Sequence, residues 1–362
     1  ASIESGPALV RDELGLAQLN YGLWLSETAL SESIAEEHQR LFAALARHRI
    51  RVSTMNAFPQ GDFQAEVVKY EVYRPNWASV ERLNYTLQCA ELLAVLLDDS
   101  CETGTISTLP LGVRDALTDS AELERACENL CQAAMALATL ATTSGKSIRV
   151  CIEPEPGCYL ETGADFIAFW QGPLARVAAH MNASDAVATH LGMCLDTCHH
   201  ALMFEDARSL VKALVDAQIP IGKIQLSSAI RIDPKSSESM IALRELDEKR
   251  FLHQVIAQVD GVVSACDDIS GIDSLPVTSD WRVHFHVPIH LAEFSGLGTT
   301  QSFMREILNL VPSLAQSLTF APQLEVETYT WQVMPEKQRP NSPESLAACI
   351  AAELRYAREA LV

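Results

Sequence analysis

No stretch of this chain approaches twenty consecutive apolar residues, so the sequence offers no helix that would cross a bilayer. Positive charge is scarce: 27 Lys and Arg stand against 47 Asp and Glu, a net charge of −20. A surface that acidic repels phosphate backbones, which excludes nucleic acid as a partner. Glycine and proline number only 16 each in 362 residues, an ordinary globular composition, with enough chain for one large barrel or two modest domains. None of the ten cysteines has a partner at CxxC spacing, so a zinc ribbon is unsupported. The first residues, Ala1 to Pro7, have neither the basic region nor the apolar core of a secretory signal. Reduced, mostly buried thiols in a cytoplasmic protein are therefore expected. The chain opens without Met, so the numbered residues are expected to begin inside a longer gene product.

What is present is an alternation of short strand-like runs with long helical patterns. Helical periodicity covers 32–49, 77–98, 120–143, 163–181, 206–217, 301–318 and 342–361, and strand candidates are 19–25, 51–55, 104–108, 149–153, 192–196, 223–226, 282–287 and 324–327. Parallel strands with helical crossovers follow from that order. No G-x-G-x-x-G follows the first strand, and no composition break marks a linker, which favours a (β/α)8 TIM barrel over a doubly wound sheet. The chain reads as a single barrel, 1–362, in which the charged, Ser-rich stretch at about 228–280 is an insertion over the catalytic face.

Four apolar runs end in acids or imidazoles: Ile148 to Pro156 with Glu153, Leu191 to His200 with Asp196 and His199, Arg282 to Pro288 with His284 and His286, and Gln323 to Trp331 with Glu327. Such endings are costly unless the polar groups share a partner, and a metal ion satisfies several at once. Glu153, Asp196, Gln225 and Glu327 make a hard-donor set for Mn, Mg or Fe, and the imidazoles of His199, His284 and His286 extend it to Zn. His284 and His286, two apart, share one strand face. Glu155 and Glu325 are expected to be solvated neighbours, and Asp196 alone could equally be a helix N-cap. Glu153 and Glu327, arriving from different strands, are the candidate acid–base pair. Trp331 and other aromatic residues could wall a sugar or cyclitol ring.

Leu195-Asp-Thr-Cys-His199 is similar to a strand-end motif of endonuclease IV. The order Glu…Asp-x-x-His…Gln…His-x-His…Glu resembles the xylose isomerase-like TIM barrels. Asn56-Ala-Phe-Pro-Gln-Gly, Val72-Tyr-Arg-Pro-Asn-Trp77, Arg282-Val-His-Phe-His-Val-Pro288, Gly298-Thr-Thr-Gln301 and Leu324 to Trp331 resemble EboE-type metabolite traffic proteins, from about residue 15 onward. The resemblance implies a divalent metal held by Glu153, Asp196 and Glu327, with Gln225 where sugar epimerases carry His. It implies further ligation by His199, His284 and His286, as in endonuclease IV, although Asn56 and Ser107 or Thr108 stand where two of that enzyme's zinc-binding histidines would be. Asn56 and His253, the latter within the insertion, become candidate substrate contacts beside Trp331. Relatives begin with a strand and helix before the segment matching 19–25, so seven barrel strands are expected, with a gap for the first and with 282–287 outside the ring; the alternative is a closed ring of eight with 282–287 as strand seven.

Three functions follow. The first is metal-dependent isomerisation or epimerisation of a small sugar or cyclitol, in a metabolite biosynthesis or export pathway. The second is metal-dependent hydrolysis of a small phosphoester, and the third is non-catalytic binding of a metabolite, which Gln225 favours. The expected partner is a small molecule, and assembly as a homo-oligomer is open.

Overall fold

The structure, a computed structural model, describes residues 3–31, 35–62, 65–117, 119–277, 280–317 and 320–361. Seven parallel strands form one sheet in the order β1 (Leu19–Trp24), β2 (Ile50–Asn56), β3 (Thr103–Thr108), β4 (Ser147–Ile152), β5 (Leu191–Asp196), β6 (Ile221–Leu226) and a last strand, Gln323–Val326, against β6. The sheet curls into a nearly closed barrel whose core runs from Leu23 and Met55 through Ile106, Val150 and Leu195 to Ile224. The first and last strands do not hydrogen-bond to each other. Their side chains do meet: a Cβ at Gly22 would lie 1.4 Å from Glu325 Oε1, so only glycine leaves room for that carboxylate.

The crossover helices follow their sequence signals. The helix Ser120–Ser144 starts where Asp119 accepts from the Ala121 N–H, and stops at Gly145 with φ of 72°. The pattern over 163–181 is broken instead of continuous: Pro173 lacks an N–H, and a π turn at Trp170–Leu174 separates two short helices. The helix expected from residue 32 is seen as Ala35–His48, and residues 32–34 lie outside the described residues. Periodicity missed the short helices Pro7–Glu13, Ser184–His190 and Ser237–Arg244, each of two turns.

A second, antiparallel sheet sits beyond β6. It contains β7 (Ser228–Ile232), β8 (Val255–Val259), β9 (Val262–Cys266), β10 (Trp281–Val287), β11 (Glu293–Phe294) and β12 (Leu297–Thr299), which makes the last barrel strand β13. The insertion expected at 228–280 thus extends to Thr299 and includes the His-x-His strand. β10 pairs with β7 and β8 and with neither β6 nor β13, so it stands outside a seven-stranded ring, as the endonuclease-like reading expects. Its alternation decides its role. Trp281, Val283, Phe285 and Val287 bury in a core of their own, and His284 and His286 face the other way, toward the barrel mouth. Among the described residues no helix is long and apolar enough to cross a membrane. All ten cysteines are free, seven of them buried.

Candidate metal centre

The carboxylates come from the carboxyl ends of β4, β5 and β13. Asp196 closes β5 and does two things at once. Its Oδ1 caps the helix Thr197–Leu202, accepting from the Cys198 and His199 N–H groups at 2.6 and 3.0 Å, and from the Ser227 hydroxyl at 2.9 Å. Its Oδ2 is buried without a hydrogen-bond donor. Glu153 and Glu327 likewise each bury an unpartnered Oε2. Carboxylate oxygens of these three residues lie within 4.8 Å of one another. Asn56 fixes the other Glu327 oxygen, donating from Nδ2 at 3.2 Å, and its own Oδ1 accepts from the Phe58 N–H.

The imidazoles are fixed by their outer nitrogens. His199 Nδ1 meets the Pro154 carbonyl at 3.0 Å, His286 Nδ1 the Glu327 carbonyl at 3.0 Å, and His284 Nδ1 the Gln254 Oε1 at 2.7 Å. Carbonyl oxygens only accept, so each Nδ1 carries the proton and each neutral ring directs an Nε2 lone pair inward. Those lone pairs converge: His199 Nε2 is 3.1 Å from His284 Nε2, which is 3.2 Å from His286 Nε2. Three facing lone pairs beside orphaned carboxylate oxygens repel unless a cation lies among them, and the outer carbonyls are the supports that metal-bound imidazoles need. The residues present therefore fit a divalent ion. Two ligand groups share Asp196, one with Glu153 and Glu327 and one with His199 and His286; a third joins Glu155 to His199 and His284.

Electrostatics agree with that reading. Burial, then repulsion from Glu327, Asp196 and Glu155, pushes the Glu153 carboxyl well above its usual range. Burial and then Asp196 and Glu325 do the same to Glu327. Burial also raises Asp196, but His199, His286 and the His199 N–H outweigh it and hold the carboxyl below its usual value. Burial keeps His284 and His286 neutral and depresses His199 to about 4.

Gln225 lies beside Asp196 in the β5–β6 register. Its Oε1 accepts from the Cys194 thiol at 3.0 Å, and its Nε2 is buried without a partner. His253 does not line the pocket. It is fully buried, bonding the His284 carbonyl through Nδ1 at 2.8 Å and Glu248 through Nε2 at 3.0 Å, so it supports β10 from behind. Trp331 is packed in the second core and lines a separate cavity between β1 and β13, away from the ligands. Glu155 is buried instead of solvated, and Glu325, still partly exposed, is held in an ion pair. Glu155 accepts from the Tyr73 hydroxyl at 2.8 Å, and burial raises it to about 8. Glu325 turns into the barrel to pair with Lys223, which is fully buried and also bonds Ser107 Oγ at 3.1 Å. Glu155, Gln254 and Lys223 were legible only as ordinary acid, amide and base; their roles come from neighbours distant in sequence.

A pocket of about 790 Å³ opens above these ligands, bounded by Asn56, Glu153, Glu155, His199, His284, His286 and Glu327 at its floor. It lies at the carboxyl ends of the strands, where such barrels do chemistry. No family model matches the chain, and no curated protein does. Solved structures do match it. A xylose isomerase-like TIM barrel protein from Mycobacterium smegmatis, determined in complex with magnesium, superimposes with a TM-score of 0.53 at 12% identity, over 99% of this chain and 90% of that one. A xylose isomerase domain protein from Planctomyces limnophilus gives a TM-score of 0.50 at 12% identity, over 97% and 91%. The fold is thus that of a xylose isomerase-like TIM barrel. At this identity the likeness is one of fold, and the chemistry has to be read from the site.

Proposed function

We propose that this protein is a metal-dependent isomerase or epimerase of a small polyhydroxylated carbonyl compound, a sugar or cyclitol. The motif resemblance to EboE-type proteins supports a place in a metabolite biosynthesis or export pathway. One observation carries the reading: orphaned oxygens of Glu153, Asp196 and Glu327 and three inward imidazole nitrogens meet at the floor of one deep pocket. Glu153, Asp196, His199, His284, His286 and Glu327 would hold the ion, with Gln225 beside them. A divalent ion there supplies Lewis-acid polarisation of a carbonyl and its neighbouring hydroxyl. Glu153 and Glu327 then act as the proton-transfer pair. One carboxylate takes the proton from the carbon next to the carbonyl, leaving an enediolate, and the other returns a proton to complete the isomer. Each brings to the site an Oε2 that no hydrogen-bond donor holds, so it is available to take or return a proton. Asn56 positions Glu327 for this exchange.

A second reading, hydrolysis of a small phosphoester, is favoured by the Asp196–His199–His286 group, which offers a second ion position. Metal analysis with solvent deuterium exchange separates the two. One Mn or Fe per chain, with exchange into a polyol ketone that Glu327→Gln slows at least about a hundredfold, supports the isomerase. Two zinc ions with phosphatase turnover and no exchange would replace it, and tight binding without any turnover would leave a binding protein.

A further inference from the structure

The pocket above the metal ligands has two chemically different halves. The floor is acidic and imidazole-rich. The wall is carbon: Trp24 from the end of β1, Phe58 beyond β2, Val68 and Val72 from the following loop, and Phe251 and Leu252 from the insertion. Ser26 and Gln332 also line the pocket, but two polar groups on its carbon side are engaged elsewhere. Trp24 Nε1 donates to the Pro59 carbonyl at 2.8 Å, and the Tyr73 hydroxyl donates to Glu155. Lys69 is the only Lys or Arg among the described lining residues, and its ammonium is paired with Asp268. A phosphate or carboxylate lying along the wall would meet no free cation. A hydroxyl-rich ring against those six side chains would lose water, and five of them carry no polar side-chain atom to replace it. Apolar surface begins directly beside the ligands: the Tyr329 ring lies 4.5 Å from His286 and 5.1 Å, edge to face, from Phe251. A cavity of about 790 Å³ belongs to the size class that encloses drug-sized ligands, leaving room well beyond the floor.

We propose that the substrate is an amphiphile. Its uncharged hydroxy-carbonyl or polyol head reaches the metal ligands, and an apolar substituent lies against the wall formed by Trp24, Phe58, Val72, Phe251 and Leu252. The head half rests on the metal-centre reading above; the tail half rests on the wall alone. The insertion is then a specificity element as well as a source of histidine ligands, because Phe251 and Leu252 belong to it.

The experiment compares two metal-chelating probes that differ only in their tail, acetohydroxamate and octanohydroxamate, titrated calorimetrically into the Mn-loaded protein. Octanohydroxamate is expected to bind at least about thirtyfold tighter, since each buried methylene adds to affinity. Val72→Asp or Leu252→Asn, each first checked for an unchanged melting transition, is expected to shrink that ratio at least about fivefold. Equal affinities, or a ratio that neither variant moves, would overturn the proposal. A parallel titration of metal-free protein with the uncharged dye N-phenyl-1-naphthylamine separates the two halves. If Mn and both hydroxamates fail to bind, the metal-centre reading falls. Saturable, blue-shifted dye fluorescence weakened by the same two variants then upholds the tail half, and its absence overturns that too.

Discussion

Asp196 illustrates how one side chain serves folding and chemistry through different oxygens. Oδ1 caps a helix, so the N-cap alternative for this strand-end aspartate is realised, and Oδ2 is buried without a donor, available to a cation. That separation makes Asp196→Asn a clean test. Asn caps as well as Asp, so folding survives, but the charge shared by two ligand groups is lost. Manganese affinity is expected to fall by more than the 10- to 100-fold typical of losing an outer-shell partner, measured by equilibrium dialysis. Glu353 gives a test of different sign. It is fully buried, accepts from the Ile289 N–H at 3.1 Å and the Thr328 hydroxyl at 2.6 Å, and burial raises it from 4.5 to about 7. Its protonated form is the one the fold favours. That contribution is complete below pH 4.5 and is lost as pH rises through about 7. Urea titrations should show wild type losing up to about 3 kcal/mol relative to Glu353→Gln across this window, with the difference flat above it.

At the level of elements, β10 shows how an apolar face and a ligand face depend on each other. Phe285 is fully buried among Trp281, Val283 and Phe294 and stacks on His253 at 4.8 Å, on the side opposite His284 and His286. Phe285→Ala should cost about 3–5 kcal/mol in denaturant unfolding, the range for an aromatic removed from a core. It should also loosen the imidazoles, because His253 holds the His284 carbonyl and would lose its stacking partner. Metal affinity should therefore fall in this variant, whereas Val263→Ala in the outer hairpin strand β9 should leave it alone. Equal loss in both would show that the second sheet does not position the ligands.

For the whole molecule, candidate ligands drawn from the ends of β4, β5 and β13 and from β10 mean that an ion bound among them would tie the barrel to the second sheet. Manganese at about a hundred times its dissociation constant should stabilise the fold by about 2.7 kcal/mol, a rise of about 3–4 °C in melting temperature for a chain of this length. EDTA should reverse it, and a melting curve indifferent to both would count against the site. The net charge of −20 makes a complementary prediction. Duplex DNA should show no gel retardation by micromolar protein even at low salt, where electrostatic binding is strongest.

Local pattern determined much of this protein. Period-2 and period-3.6 hydrophobicity located all seven barrel strands and the long helices, because burial on one face leaves its mark within a few residues. Strand-ending acids and the His-x-His pair marked the candidate ligands for the same reason: an uncompensated polar group on an apolar strand is conspicuous. Tertiary structure decided what depends on neighbours far apart in sequence. It moved Trp331 to another cavity and His253 behind β10, it buried Glu155 beside Tyr73, and it paired Glu325 with Lys223. It also made β10 part of a second sheet. Each of these turns on which surface a side chain meets after the chain has closed on itself, and a sequence pattern records only that a face is apolar, not what lies across from it.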